Sequence, residues 1–250
     1  MFSLPYRVYY DSIRQAIEGT IRKYVSYIKW KTFMSKADAV ITVSEYGKRE
    51  FCSIFNVYEE KVIPVYHGID FELFKPFDLS ERRYFLHVSQ YQPKKNVDRV
   101  VEAYRRLDTP KPELVLVVPG YRRALEDSNI RIIREPKTSH DLVKLYNGAI
   151  AFIFPSLHET FGMPILEAMA CGCPVITSNT TACAEVAGDA ALLVNPYSVD
   201  DIAKAMQMLL MDKRLAESLK KKGLERVKSF SWEKSARHHF EIFKRVIEQE

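Results

Sequence analysis

The stretch AIAFIFPSLHETFGMPILEAMACGCPVIT, residues 149–177, predicts a strand, a loop, a helix and a second strand in succession. Ala149–Phe154 is a continuous apolar run, which is typical of a strand buried on both faces of a sheet. A proline at its start and a glycine just after its end mark Pro164–Cys171 as a helix. Pro174–Thr177 is again short and β-rich. Strand, helix and strand in this order indicate a parallel βαβ unit.

The same alternation extends in both directions along the chain and predicts a doubly wound α/β fold with a parallel sheet. The further predicted strands are 38–43, 61–66, Tyr84–Val88, Glu113–Val118, Ile130–Ile133 and Ala191–Val194. The further predicted helices are 8–36, 45–55, Val97–Leu107, Ser139–Asn147, Val199–Met211, Lys213–Ser229 and Trp232–Glu248, with Ser44, Asn96 and Ser139 as candidate N-caps. Ligands of such sheets bind at the carboxyl ends of the strands, so we expect the chemistry in the loops after Val88, Val118, Phe154 and Thr177.

Composition narrows the class of protein. With 250 residues the chain can bury a core without disulfides, and its net charge of +5 is too small and too scattered to favour nucleic-acid binding. The four cysteines fit neither a zinc site nor a disulfide framework, so we expect buried, reduced thiols and a cytoplasmic location. The start of the chain lacks the pattern of a signal peptide, and no apolar run reaches the length of a membrane span.

The loop after Phe154 is the first candidate ligand site. The predicted helix begins near Gly162 and Met163, where free amide groups favour an anion such as a diphosphate. Glu159 precedes that helix and Glu167 lies one turn inside it, and carboxylates are good acceptors for vicinal sugar hydroxyls. An alternative stays open, in which Glu167 only complements the helix dipole and Glu159 is a solvated loop residue.

Three neighbouring loops add basic and hydroxyl groups. Lys94 and Lys95 follow the strand ending at Val88 and can neutralise a diphosphate, although a solvated basic turn has the same composition. The loop after Val118 brings Gly120 and two arginines, and 178–181 supplies hydroxyl donors.

The sequence resembles the retaining GT-B glycosyltransferases of glycosyltransferase family 4. Segments in the family's order carry the resemblance, and Glu159 with Glu167 matches its E-x7-E signature. The segments are ADAVITVSEYGKREF (37–51), HGID (67–70), FLHVSQYQPKKNVDRVVEAY (85–104), LYNGAIAFIFPSLHETFGMPILEAMACGCPVITSN (145–179) and AALLVNPYSVDDIAKAM (190–206).

The resemblance implies transfer of a sugar from a nucleoside diphosphate to a hydroxyl acceptor with retention of configuration. It implies Glu159 and Lys95 as catalytic residues, on the sugar hydroxyls and the leaving diphosphate respectively, and Glu167 on the ribose. It places the nucleotide base near 135–137. The implied donor-binding set is Phe161, Gly162, Met163, Glu167, Gln90, Lys94, Gly120, Pro136 and Lys137. The fold class implies no metal and no cofactor besides the donor.

Two departures qualify the resemblance. Gln90 stands where the family usually has an arginine, for which Arg122 or Arg123 is a candidate substitute, and 120–130 is shorter than usual. The expected domains are 1–75, a remnant of the acceptor-side domain, 76–230, the nucleotide-sugar domain, and 231–250, a crossover helix. Two explanations for the short acceptor-side domain stay open. Another copy or an acceptor-domain partner chain completes that sheet, or the chain is a fragment.

The front helix carries aromatic and basic residues, which predict either peripheral membrane contact, suited to a lipid-linked acceptor, or packing on the sheet with snorkelling lysines. Two functions therefore compete. The first is a glycosyltransferase, and the second is a non-catalytic subunit that binds a nucleotide sugar. A nucleic-acid partner is not expected.

Overall fold

The computed structural model describes residues 25, 27–34, 36–77, 82–123 and 125–248. They divide into a larger compact unit, His67–Ser235, and a smaller one formed by the residues up to Tyr66 and those from Ala236 onward. The predicted helix 8–36 lies largely outside the described residues, of which 27–34 are helical.

The larger unit is built on a six-stranded parallel sheet, which confirms the predicted fold class. Its strands are β3 (Tyr84–Val88), β4 (Glu113–Val117), β5 (Ile130–Ile133), β6 (Ala149–Phe154), β7 (Val175–Ser178) and β8 (Ala191–Val194). They lie in the order β5-β4-β3-β6-β7-β8. This order reverses direction between β3 and β6, which is the topological switch point of a doubly wound sheet.

Helices cover the sheet. They are α2 (Val97–Arg105), α3 (Ser139–Gly148), α4 (Met163–Ala170), α5 (Thr181–Ala187), α6 (Val199–Met211) and α7 (Lys213–Arg226). A further helix, α8 (Trp232–Ile247), begins in the larger unit and continues in the smaller one. On one face of the sheet, Phe85, Leu116, Ala151 and Ile153 pack in the same core as residues of α2 and α6. Because successive strand residues point to opposite faces, Leu86, Phe152 and Phe154 lie on the other face. The four inner strands, β4, β3, β6 and β7, are thus buried on both sides, as their apolar runs predict.

Three predicted details are wrong. Ser139 is not the N-cap of α3, since Thr138 caps it in a reciprocal capping box with Asp141. Asn96 occupies the N-cap position of α2 at φ 62°, but its side chain makes no capping bond. Of residues 178–181, expected to be a loop, only 179 and 180 lie outside regular structure, because Ser178 ends β7 and Thr181 begins α5, a helix that the sequence pattern did not reveal.

The smaller unit contains a two-stranded parallel sheet of β1 (Val40–Thr42) and β2 (Val62–Pro64). Helix α1 (Glu45–Phe55) follows β1, and the Ser44 hydroxyl accepts a hydrogen bond from the amide of Gly47, so the predicted cap is confirmed. Among the described helical residues 27–34, Trp30 and Phe33 are exposed and Met34 is buried. No helix in the described part of the chain combines the length and apolarity needed to cross a bilayer.

Candidate functional site

The loops after β3 and β6 are joined at the switch point. The amide of Leu157 donates to the carbonyl oxygen of Lys94 at 2.7 Å, and the hydroxyl oxygen of Ser156 lies 2.9 Å from the same carbonyl oxygen. The side-chain amide of Asn96 donates to the carbonyl oxygen of Pro155 at 2.8 Å. These bonds fix the lysine-bearing turn against the loop that carries Glu159, at the edge where doubly wound folds bind ligands.

Lys95 and Glu159 form an ion pair within this junction. Nζ of Lys95 lies 2.5 Å from Oε1 of Glu159, and the two side chains are only 16% and 11% exposed. The Ser156 hydroxyl lies 2.7 Å from the same carboxylate oxygen, and the ammonium lies 5.2 Å from the centroid of the Phe154 ring. With so little solvent around it, the pair interacts more strongly than a surface salt bridge. The site therefore holds an ammonium and a carboxylate side by side in fixed positions.

Helix α4 begins next to this pair. Gly162 precedes it at φ 110°, a conformation that L side chains rarely adopt, and a Cβ there would lie 3.1 Å from Cδ1 of Ile165. Met163 is the first helical residue, one position before the predicted start, and Pro164 carries no amide hydrogen. The positive end of the helix thus faces the ligand edge with fewer amide donors than a proline-free helix would offer.

Glu167 lies on the second turn of α4 and is half-buried. Its Oε2 accepts a hydrogen bond of 2.9 Å from the Tyr146 hydroxyl, and burial raises the pKa of its carboxyl above the usual value. The Tyr146 ring packs edge-on against Phe152, which stacks on Phe154. Since Phe154 also contacts Lys95, the structure brings both glutamates and the lysine to the same face of the sheet.

The side chain of Phe161 is turned into the protein. It is 4% exposed and packs edge-on against His67 and Phe230. Its backbone is therefore the part that remains for a ligand. His67 also packs against Trp232, and a Cβ on Gly68 would lie 2.0 Å from the amide nitrogen of Trp232, so only glycine fits there.

The remaining predicted residues lie in the loops after β3, β4 and β5. Gly120 adopts φ 85°. Gln90, Pro136 and Lys137 are exposed, and in the described residues no hydrogen bond or ion pair connects them with Lys95 or Glu159. Arg123, one candidate substitute for the missing arginine, pairs instead with Asp98 at 3.0 Å. The donor-binding roles of this group stay predictions.

Three polar residues of the site were missed by the sequence analysis. Ser156 directly follows the predicted strand and its Pro155, a position that was a readable signal. Tyr146 lies on a different helix from its partner, so no local pattern indicated the contact. The third is His87 of β3, whose Nδ1 donates to the carbonyl oxygen of Ile153 at 2.7 Å.

His87 is a neutral structural imidazole under the site. Its Nε2 accepts a hydrogen bond of 2.8 Å from the Ser89 hydroxyl, because a ring that donates through Nδ1 is left with an acceptor at Nε2. Burial lowers the pKa of His87 to about 4, and the charge of Lys95 adds to the lowering. Across the described ranges, no group of three or more His, Cys, Asp or Glu side chains lies close enough to hold a metal ion.

Known proteins resemble this chain over most of its length. It is 30% identical to O-antigen chain mannosyltransferase B of Escherichia coli over 80% of this chain and 58% of that protein. A sucrose-phosphate synthase structure from Thermosynechococcus elongatus superposes with a TM-score of 0.78 at 22% identity, over 91% of this chain and 63% of that one. A structure of Anabaena HepE in complex with UDP and glucose superposes with a TM-score of 0.72 at 17% identity, over 83% of this chain and 63% of that one.

The chain thus shares the GT-B glycosyltransferase fold and spans a little over half the length of the mannosyltransferase that it matches. The family described as "Glycosyl transferases group 1" matches residues 69–226, which include all of β3 to β8 and the pair of Lys95 and Glu159. The chain belongs to the group 1 family of glycosyl transferases.

Proposed function

We propose that this chain binds a nucleoside-diphosphate hexose and serves its transfer to a hydroxyl acceptor with retention of the anomeric configuration. One observation carries the proposal. The buried pair of Lys95 and Glu159 lies at the switch point of the sheet, beside the start of α4, and Glu167 follows on the same face. The charges of these three residues match a donor that has an anionic diphosphate at one end and hydroxyl groups at the other.

In the proposed reaction, the bond between the anomeric carbon and the diphosphate oxygen breaks while the acceptor oxygen bonds to that carbon. The proton of the acceptor hydroxyl passes to the departing diphosphate. Negative charge grows on the departing diphosphate, and the Lys95 ammonium with the amide end of α4 stabilises it. Glu159 accepts hydrogen bonds from hydroxyls of the donor sugar and orients it. The Ser156 hydroxyl holds the carboxylate in place.

Lys95 has enough hydrogen-bonding capacity to serve both partners, because an ammonium group has three donors and Glu159 engages one of them. A hydrogen bond to a charged group contributes about 1.5–3 kcal/mol. If it acts only in the transition state, that corresponds to roughly one to two decades in rate. We therefore expect Lys95 to contribute more to turnover than to ground-state binding of the sugar.

The acceptor side is the second part of the proposal. Among the residues that the structure describes, the smaller unit has a two-stranded parallel sheet, and the chain spans 58% of the length of the mannosyltransferase that it matches. We infer that an acceptor-binding domain, from this protein or from a partner chain, is needed for transfer. Contact with a membrane surface, a lipid-linked acceptor and a cytoplasmic location stay predictions.

A non-catalytic nucleotide-sugar-binding subunit is the second candidate. The site has Gln90 in place of an arginine, and Arg123 is paired with Asp98. The diphosphate would then be neutralised by fewer cationic side chains than in an efficient enzyme. The two functions are separated by incubating the chain with a panel of UDP- and GDP-hexoses and measuring release of the diphosphate. Release that depends on Lys95 and Glu159 supports the enzyme. Binding without release, with or without candidate acceptor chains, supports the subunit.

A further inference from the structure

Tyr146 contacts the proposed donor site through a single polar atom. Its side chain is fully buried, and its ring packs edge-on against Phe152 with 5.3 Å between the centroids. Its hydroxyl donates to Oε2 of Glu167 at 2.9 Å. Burial and the neighbouring carboxylate keep the pKa of the phenol well above its usual value, so the hydroxyl stays protonated and remains a donor.

In the part of the chain that the structure describes, only one of the two carboxylate oxygens of Glu167 accepts a hydrogen bond. Oε2 receives the Tyr146 hydroxyl, and within the described residues no hydrogen bond or ion pair reaches Oε1. The residue is half-buried, so part of its surface remains accessible from outside. A partly desolvated carboxylate with an open oxygen has a strong tendency to accept hydrogen bonds from a ligand.

The elements around the pair explain why the acid needs a second residue to orient it. A glutamate has three rotatable side-chain bonds, and fixing them costs conformational entropy. Tyr146 is anchored in α3 by its buried ring, so its hydroxyl offers a fixed point 21 residues away in sequence. The hydroxyl selects one orientation of the carboxylate before any ligand arrives, which reduces the entropy that binding must overcome.

We propose that Tyr146 is a positioning residue that aims Glu167 at the ribose hydroxyls of the nucleotide and so makes the site prefer ribonucleoside over 2′-deoxyribonucleoside diphosphates. This inference rests on the proposed function, since it requires a nucleotide in the site. It assigns to Tyr146 no contact with the nucleotide itself. The preference arises because loss of the 2′-hydroxyl leaves the oriented carboxylate without its partner.

The test compares affinities for two probes. UDP, GDP and ADP are titrated calorimetrically against the wild-type chain, and the tightest of them is then compared with its 2′-deoxy counterpart. Wild type is expected to bind the ribonucleotide more tightly. Tyr146→Phe keeps the ring and removes the hydroxyl, and it is expected to reduce the ribose preference by about three- to tenfold, which is the effect of losing a typical hydrogen bond.

Two further variants make the result specific. Tyr104→Phe is the matched control, because Tyr104 is also fully buried and its hydroxyl donates to the carbonyl oxygen of Pro112, on the other face of the sheet. It is expected to lower the melting temperature while leaving the ribose preference unchanged. Glu167→Gln is expected to lower the preference by itself, and adding Tyr146→Phe to it is expected to change the ratio no further.

The outcomes are distinguishable. If wild type binds a nucleoside diphosphate but Tyr146→Phe retains the full ribose preference, the inference about Tyr146 is wrong and the proposed function stands. The same holds if Tyr146→Phe lowers the preference equally in the Glu167→Gln background, because the tyrosine then does not act through Glu167. If wild type binds none of the probes, the proposed function fails and the inference falls with it.

Discussion

Nζ of Lys95 and Oε1 of Glu159 lie 2.5 Å apart although 64 residues separate them in the sequence. The two residues follow strands β3 and β6, which are neighbours in the sheet, so the strand order alone brings their loops together. The Ser156 hydroxyl and the Phe154 ring complete the surroundings of the pair. This contact links the fold to the proposed chemistry, because both charges are held at the ligand edge before a donor arrives.

The pair is expected to matter for stability as well as for transfer. Lys95→Met or Glu159→Gln leaves one largely buried charged group without its partner, and each change is expected to lower the free energy of unfolding by about 2–4 kcal/mol. The double variant removes both charges and is expected to recover a substantial part of that loss. Urea unfolding measures the stabilities, and diphosphate release from the donor measures activity.

All three variants are expected to lose activity, including the stabilised double variant. Activity that follows stability across the set would mean that the pair is only structural. A double variant as unstable as the sum of the single changes would mean that the two charges do not interact in solution.

Gly162 is expected to tolerate no side chain without loss of donor binding. Gly162→Ala places a Cβ at φ 110° and 3.1 Å from Cδ1 of Ile165, and we expect it to destabilise the fold by about 1–2 kcal/mol and to displace the start of α4. Gly172→Ala is the matched control at the other end of α4, where φ is 66° and the nearest atom is 3.5 Å away. It is expected to destabilise comparably while nucleotide affinity stays unchanged. Equal affinities of the two variants, measured well below their melting temperatures, would contradict the proposed role.

The stability of the protein is expected to depend on the protonation of His87. Its pKa is about 4 in the folded chain because of burial, against 6.5 ordinarily, so below about pH 6.5 the unfolded chain takes up a proton that the folded chain refuses. The stabilisation is complete above pH 6.5 and is lost as the pH falls towards 4. The loss from this residue is about 3 kcal/mol in total.

The measurement is the free energy of unfolding between pH 4 and 7 for wild type, His87→Asn and His140→Gln. His87→Asn is expected to flatten the acid side of the curve, while His140→Gln, which changes an exposed ring on α3, keeps the wild-type slope. An unchanged slope in His87→Asn would show that the buried imidazole is not the group that titrates.

Asn96 is expected to stabilise the junction of the two loops through both its side chain and its backbone. Its side-chain amide donates to the carbonyl oxygens of Pro155 and Pro196 at 2.8 and 2.7 Å, and its φ is 62°. Asn96→Gly loses the hydrogen bonds and is expected to cost about 2–3 kcal/mol. Asn96→Ala loses them and also adopts an unfavourable φ, for about 1 kcal/mol more. If thermal or urea unfolding shows Asn96→Ala to be more stable than Asn96→Gly, the positive φ of Asn96 is contradicted.

The sheet could be predicted because its inner strands are buried on both faces. Tyr84–Val88, Ile130–Ile133 and Ala149–Phe154 appear in the structure with the predicted bounds, since each is short, rich in apolar residues and flanked by polar or turn residues. Helix α5 could not be predicted in this way. It has only seven residues, its N-cap Thr180 makes no capping bond, and Thr181 at its start has φ 62°, which is unusual for a β-branched residue.

Several of the residues that form caps and the site could be predicted from the sequence, but the long-range contacts of their side chains could not. The cap of α3 had a readable signal, because Asp141 stands three residues after Thr138 whereas Leu142 stands three after Ser139. The sequence predicts that Asn96 caps the following helix. Its side-chain amide instead donates to the carbonyl oxygen of Pro196, 100 residues away, which no local pattern reveals.

The proposed contact of Lys95 with the diphosphate is measured by nucleotide binding to this chain and to its Lys95→Ala variant. UDP, GDP and ADP are titrated calorimetrically against wild type, Lys95→Ala and Lys204→Ala, the last of which removes an exposed lysine of α6 as a control. Wild type and Lys204→Ala are expected to bind one of these nucleotides with equal affinity, and Lys95→Ala is expected to bind it at least about tenfold more weakly. No binding of any of the three to the wild-type chain, or equal binding to all three proteins, would contradict the proposed contact.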